Sequence, residues 1–276
     1  MKTWTLVRAV LDVAPEDWSS WAELFADHGV NGTVQEDNPP SLGGYLYEGD
    51  GVDGLVAALR EAGAKSVETT VIEEEDWSIA WRKFFVPRRV GEHFVVRPVW
   101  EPYELGPDDI EIVLDPGQAF GTGDHPTTRM CLELLEREDV SAKSLADIGC
   151  GSGILAVGAC KLGAARVVGV DCDAASVDSS QENAERNGVE FDVFMGAGFD
   201  PLPDGEFDLV LSNIISAALI RLAPEAAIRV CSGGKWIVSG VIKSNWPEVF
   251  AVAEKCGFAL EQMLEEGDWI AATFRR

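Results

Sequence analysis

Leu145-Ala146-Asp147-Ile148-Gly149-Cys150-Gly151-Ser152-Gly153-Ile154-Leu155 decides the fold. It reads as a short apolar strand that ends in a glycine turn and opens at once into a helix. Glycines at such a junction let backbone approach a ligand closely at the carboxyl end of a strand, where doubly wound sheets bind nucleotides. A dinucleotide fingerprint requires G-x-G-x-x-G, and Ile154 stands where its last glycine belongs. Asp147, two residues before Gly149, would repel a pyrophosphate but tolerate or attract a ligand carrying an ammonium or sulfonium. The next strand ends Val168-Gly169-Val170-Asp171, twenty-two residues beyond Gly149, where an acid accepts hydrogen bonds from ribose hydroxyls. Asp173 competes for that role, but it immediately precedes a helix beginning at Ala174 and reads as its cap.

Outward from this turn, strands and helices alternate to the end of the chain. Ser144–Asp147, Val167–Val170, Asp192–Met195, Phe207–Ser212 and Lys235–Ser239 are short apolar strands. Ile154–Leu162, Ala174–Asn187, an Ile214–Val230 region interrupted near Pro224, and Trp246–Cys256 are the helices between them. Phe258–Leu264 and Trp269–Arg275 follow with only the short turn Glu265–Asp268, which implies an antiparallel hairpin at the sheet edge. The class is therefore α/β, a doubly wound, Rossmann-like sheet with one reversed strand.

The N-terminal seventy residues have a different rhythm. Thr3–Val10, Thr33–Glu36, Gly44–Tyr47 and Lys65–Ile72 read as strands, and Pro15–Asp27 and Val52–Ala62 as helices, with Trp18, Trp21, Leu24 and Phe25 sharing one helix face. The order βαββαβ predicts a small ferredoxin-like α+β domain over residues 1–72. Glu73-Glu74-Glu75-Asp76 suits the N-terminus of a short helix, Trp77–Phe85. Pro87, Pro98, Pro102 and Pro107, around a strand-like His93–Arg97, suggest a structured linker, so the division is 1–72, 73–107 and 108–276. Trp77, Trp81 and Trp100 read as interdomain packing rather than a substrate face.

The 276 residues carry 47 acidic and 22 basic side chains, a net charge of −25, with a hydrophobic fraction of 46% that argues for a folded protein. So negative a surface repels phosphate backbones over a Debye length of roughly 8 Å, which argues against nucleic-acid binding and leaves basic partners open. Only 8 of the 22 cations are Lys, so salt adaptation is a second explanation of the acidity. No segment approaches the roughly eighteen apolar residues of a membrane span, and the first twenty residues lack an apolar core behind a basic region, which predicts a cytoplasmic protein. Six cysteines without a CxxC pair are expected as reduced, mostly buried thiols. The His, Cys and acidic residues show no metal-ligand spacing.

Asp147-x-Gly149-x-Gly151-x-Gly153 together with Asp171 resembles the glycine motif and acidic second strand of class I S-adenosylmethionine-dependent methyltransferases. Two further segments narrow the resemblance. Leu114-Asp115-Pro116-Gly117-Gln118-Ala119-Phe120-Gly121-Thr122-Gly123-Asp124-His125-Pro126-Thr127-Thr128 is similar to the hallmark loop of the PrmA family, methyltransferases of large-subunit ribosomal protein eleven. Ser212-Asn213-Ile214-Ile215 resembles that family's Asn-Ile-Leu motif, and the N-terminal βαββαβ order, Asp76-Trp77…Trp81 and the antiparallel end also fit.

The resemblance implies Thr128, Gly149, Gly151, Asp171 and Asn213 as ligands of S-adenosylmethionine, with Phe120, Gly121 and Thr122 in the loop over its methionine end. Asn213, at a strand carboxyl end, is the residue whose amide oxygen would face the methyl donor or the incoming amine. Its competing reading is an Asx turn capping the next helix. His125 orients the loop or serves its turn, and His28 and His93 read as surface or packing residues. Asp124 departs from the Thr or His of the family pattern. The implied reaction is methyl transfer to lysine ε-amines, and the N-terminal α-amine, of a basic ribosomal protein by a monomeric enzyme, with the N-terminal domain recognising the substrate. Two other activities share these motifs: methylation of another protein lysine or a small amine, and non-catalytic S-adenosylmethionine binding by an interaction module.

Overall fold

The computed structural model describes residues 3–15, 18–30, 32–37, 39–47, 51–73, 85–115, 121 and 123–276. The expected helix from Trp77, the side chains of Trp77 and Trp81, and two of the loop residues, Phe120 and Thr122, lie outside the described residues. The chain forms two compact units, 1–84 and 85–276.

In the smaller unit, β1 (Thr3–Val10), α1 (Ser19–Asp27), β2 (Thr33–Asp37), β3 (Pro40–Tyr47), α2 (Val52–Glu61) and β4 (Ser66–Glu73) build an antiparallel sheet in the order β2-β3-β1-β4. This is the ferredoxin-like arrangement. Period-two alternation along β1 buries Val7 and Ala9 against Phe25 of α1 and Leu55 and Leu59 of α2. The helix face predicted from Trp18, Trp21, Leu24 and Phe25 meets this core, with Phe25 wholly buried and the other three partly so. β3 begins four residues earlier than its apolar pattern suggests. Pro40 opens it, a position where a strand tolerates the missing N–H.

The larger unit contains β5 (Arg88–Val90), β6 (Phe94–Pro98), β7 (Ile110–Leu114), α3 (Pro126–Glu136), β8 (Ser144–Ile148), α4 (Ile154–Lys161), β9 (Arg166–Asp171), α5 (Ala174–Arg186), β10 (Asp192–Met195), β11 (Phe207–Asn213), α6 (Ser216–Arg229), β12 (Val230–Ile242), α7 (Trp246–Lys255), β13 (Ala259–Glu266) and β14 (Trp269–Arg275). Its main sheet has the order β10-β9-β8-β11-β12-β14-β13, parallel except for β14, which runs antiparallel to both of its neighbours. The reversed strand is thus second from the edge, and β13 is outermost.

Alternation again sorts the side chains. Leu209 and Leu211 of β11 join a core with α3 and α4, while Val210 faces the opposite core, built on Leu219 and Leu222 of α6, Val249 of α7 and Trp236. Both faces of the central strands are buried, the reason they read as continuous apolar runs.

Two local expectations differ. α6 continues through Pro224 without a break, because Leu219, Leu222, Ala223 and Ala226 on its buried stripe hold both sides of the proline to the sheet. β5, β6 and β7 form a separate three-stranded sheet that the proline-rich composition of residues 85–107 does not announce. Val90, Phe94 and Val96 of this sheet belong to the same core as α3 and α4, so these residues pack with the larger unit. Among the described residues no helix is long and apolar enough to cross a membrane. All six cysteines are free thiols: Cys131 and Cys150 are buried, Cys160, Cys231 and Cys256 partly so, and Cys172 is exposed.

Candidate active site

The carboxyl ends of β8, β9 and β11 meet at a cavity of about 640 Å³, within the size range of small-molecule sites. Gly149, Gly151, Asp171 and Asn213 all line it. Gly149 has φ +80°, and a Cβ there would lie 2.3 Å from Cγ2 of Ile214, so only glycine lets β8 turn against the end of β11.

α5 fixes the turn from behind. Ser180 donates its hydroxyl to the Gly151 carbonyl at 2.8 Å, and Asn183 Nδ2 donates to the Ser152 carbonyl at 2.9 Å. Asp171 takes the Gly151 N–H on one oxygen at 2.8 Å and the Asp173 N–H on the other at 3.0 Å, which leaves lone pairs on both for further donors. Asp173 caps α5, accepting from the Ala175 N–H at 3.2 Å.

Thr128 does not line the cavity. It is wholly buried in α3, where its hydroxyl accepts a hydrogen bond from Asn213 Nδ2 at 3.3 Å. The opposite amide atom, Asn213 Oδ1, is buried and has no hydrogen-bond partner among the described residues. Gly121 is held to the glycine turn by the Ser152 hydroxyl, which donates to its carbonyl at 2.6 Å.

Several lining residues are not legible from the glycine motif. Trp269, at the start of β14, meets His125 edge to face with ring centroids 4.7 Å apart, and both line the cavity. His125 also caps α3, with Nδ1 2.7 Å from the Thr127 hydroxyl. Its pKa is lowered, first by burial and then by the neighbouring Arg129 guanidinium, with Glu266 opposing, so the ring is neutral at pH 7. Gly240 at φ +80° lines the cavity too, and a Cβ there would stand 2.3 Å from the Ile214 carbonyl oxygen. The signal for Gly240 is a glycine directly after the apolar run Trp236–Ser239; Trp269 has none, because only the reversal of β14 carries it to the site. Asp124, the departure in the loop, pairs with Arg88 of β5 at 3.2 Å, which offsets its added charge.

The family model described as ribosomal protein L11 methyltransferase (PrmA) matches residues 16–276. The chain belongs to this family. Among its relatives, ribosomal protein L11 methyltransferase of Geobacter sulfurreducens is 42% identical over 79% of this chain and 72% of its own length. That of Pelotomaculum thermopropionicum is 38% identical over 95% of this chain and 84% of its own. The crystal structure of ribosomal protein L11 methylase from Lactobacillus delbrueckii subsp. bulgaricus is 32% identical, with a TM-score of 0.66 covering 70% of this chain and 99% of that one.

Membership makes the protein an S-adenosylmethionine-dependent methyltransferase, and its cavity suits that cofactor. Asp171 has acceptor capacity for ribose hydroxyls, the glycine turn gives close backbone approach, and the Asp171 carboxylate suits a cation better than a pyrophosphate. The unpartnered Asn213 Oδ1 further leaves an acceptor for a donor group supplied from outside the chain.

Proposed function

We propose that this protein transfers methyl groups from S-adenosylmethionine to amino groups of ribosomal protein L11, to lysine ε-amines and to the N-terminal α-amine. The observation that carries the site assignment is Asn213 Oδ1, a buried acceptor without a partner among the described residues, in a residue that lines the cavity. Burying such an atom unpaired costs about 1–3 kcal/mol, which an N–H from an incoming amine would offset.

S-adenosylmethionine supplies an activated methyl group on a sulfonium. Gly149, Gly151, Asp171 and Asn213 would hold it, with Gly121 fixed beside the glycine turn by Ser152 and with Phe120 and Thr122 from the same loop, while Thr128, which does not line the cavity, acts through Asn213. Thr128 fixes the orientation of the Asn213 amide, so its oxygen is the face offered to an amine. Asn213 accepting an amine N–H would direct the nitrogen lone pair away from the amide, a positioning role worth more here than acid–base chemistry. The amine arrives neutral and its proton leaves to water after transfer. Trp269 and His125 form an aromatic wall suited to the aliphatic part of a lysine chain.

The N-terminal residues 1–72 would recognise the substrate; of the 73–107 segment expected as linker, residues from 85 onward pack with the larger unit, which leaves 73–84 to connect the two. In this reading the enzyme works as a monomer in the cytoplasm, without nucleic acid, and its net charge of −25 attracts a basic substrate.

Mass spectrometry of recombinant L11 after incubation with the protein and S-adenosylmethionine tests the proposal. The expected result is mass increments of whole methyl groups on lysines and the N-terminus. Unmodified L11, under conditions where a relative's enzyme methylates it, would refute the substrate.

A further inference from the structure

Asp147 does not line the cavity but stands two residues before its glycine turn, and the proposed mechanism gives it no task. It lies at the carboxyl end of β8, in register with Gly169 of β9 and Leu211 of β11, and is only 1% exposed. One oxygen accepts the Ala156 N–H of α4 at 3.2 Å, and the other, Oδ1, is buried with no partner among the described residues. None of the described elements packed around it supplies a counter-charge. α3 contributes the Cys131 thiol, the glycine turn the Cys150 thiol, β9 the Asp171 carboxylate and α4 a backbone N–H, and among the described residues no Lys, Arg or His pairs with it. An ionised carboxylate in such a place needs a cation from outside the chain. The cavity floor formed by Gly149 and Gly151 begins two residues further along the chain.

We propose, resting on the cofactor reading above, that Asp147 is the counter-charge that lets the site distinguish a sulfonium donor from its neutral thioether product. Binding of the cationic donor draws the carboxylic acid to its carboxylate form, the O–H bond breaks, and the proton passes to solvent. The thioether gives no such compensation, so the acid keeps its proton and the product is held less firmly. Burial, with Asp171 adding to it, pushes the Asp147 pKa up to about 7, which puts this exchange in the physiological range. Asp147 acts through charge and without touching the reacting atoms, so it is a positioning residue.

Calorimetric titration of the full chain with S-adenosylmethionine and with S-adenosylhomocysteine at pH 6 and pH 8 is the test. If the sulfonium lowers the Asp147 pKa by one unit, the preference for the donor over the product rises about fivefold between these pH values. The sulfonium lowers the pKa of the donor's α-amine relative to the product's, so the contribution of Asp147 is read as the difference between wild type and Asp147→Asn, which share that ligand titration. Asp147→Asn is expected to lack the fivefold rise. A wild-type ratio that changes with pH no more than the variant's while both ligands bind would overturn the proposal. Should Asp147→Asn fail to fold, wild-type titrations at pH 7 in two buffers of different ionisation enthalpy decide instead: proton release with the donor and none with the product supports the assignment, and equal release refutes it. If neither ligand binds the wild-type chain, it is the cofactor reading that fails.

Discussion

Asn213 Nδ2 donates to the Thr128 hydroxyl at 3.3 Å, tying the end of β11 to the first turn of α3 across eighty-five residues of chain. The bond spends the amide's donor on the protein and leaves its oxygen for a ligand. Thr128→Val keeps the side-chain shape but removes the acceptor. One hydrogen bond of this kind contributes about 1 kcal/mol, so the variant is expected to lose roughly fivefold in kcat/KM while its circular dichroism stays unchanged. Full activity would show that the amide needs no such restraint.

Gly240→Ala tests the glycine that, like Gly149, closes against Ile214. The new methyl would stand 2.3 Å from the Ile214 carbonyl oxygen, on backbone held at φ +80°, and backbone does not yield as a flexible side chain does. A loss of about 2–4 kcal/mol in urea unfolding is expected, together with weaker donor binding because Asn213 adjoins Ile214. Stability within about 0.5 kcal/mol of wild type would contradict this account.

The pH dependence of stability has an uncommon sign. The folded pKa of Asp147, about 7, lies above its ordinary value of 3.8, so between these values the folded protein keeps a proton that the unfolded chain has released. The contribution of this group is full below about pH 4, falls as pH rises to about 7 and is then constant, an order-of-magnitude loss of ~4 kcal/mol. Asp147→Asn should therefore stabilise the ligand-free protein at pH 8 by about 2–4 kcal/mol and far less at pH 4. An equal effect at both pH values in urea titrations would rule out a raised pKa.

Methylation of L11 should slow as salt increases if the net charge of −25 steers a basic substrate. Between 50 and 500 mM NaCl we expect kcat/KM for L11 to fall about tenfold or more while donor affinity changes little. A salt-insensitive rate would assign the acidity to salt adaptation.

The α/β class was legible because β8 and its neighbours are buried on both faces, and β1 because it alternates between a buried and a more exposed face. Gly149, Asp171 and Asn213 were legible because each stands at a strand end in a recognisable order. Trp269 was not, since its place depends on β14 pairing with β12, a contact that local sequence does not encode. The sheet of β5, β6 and β7 was hidden for a related reason. Its strands are three to five residues long and set among prolines, so only packing of Phe94 and Ile112 on the core of α3 and α4 makes them a layer.

The insertion of β14 between β12 and β13 has a consequence for biosynthesis. Until Arg275 has emerged from the ribosome, β12 and β13 have no strand between them, and the aromatic wall that Trp269 forms with His125 is missing. The nascent chain can fold its ferredoxin-like unit early, but the larger unit must wait for translation to pass the β13–β14 hairpin. A truncated product that stops short of β14 lacks Trp269, and with it the aromatic wall proposed for the lysine chain.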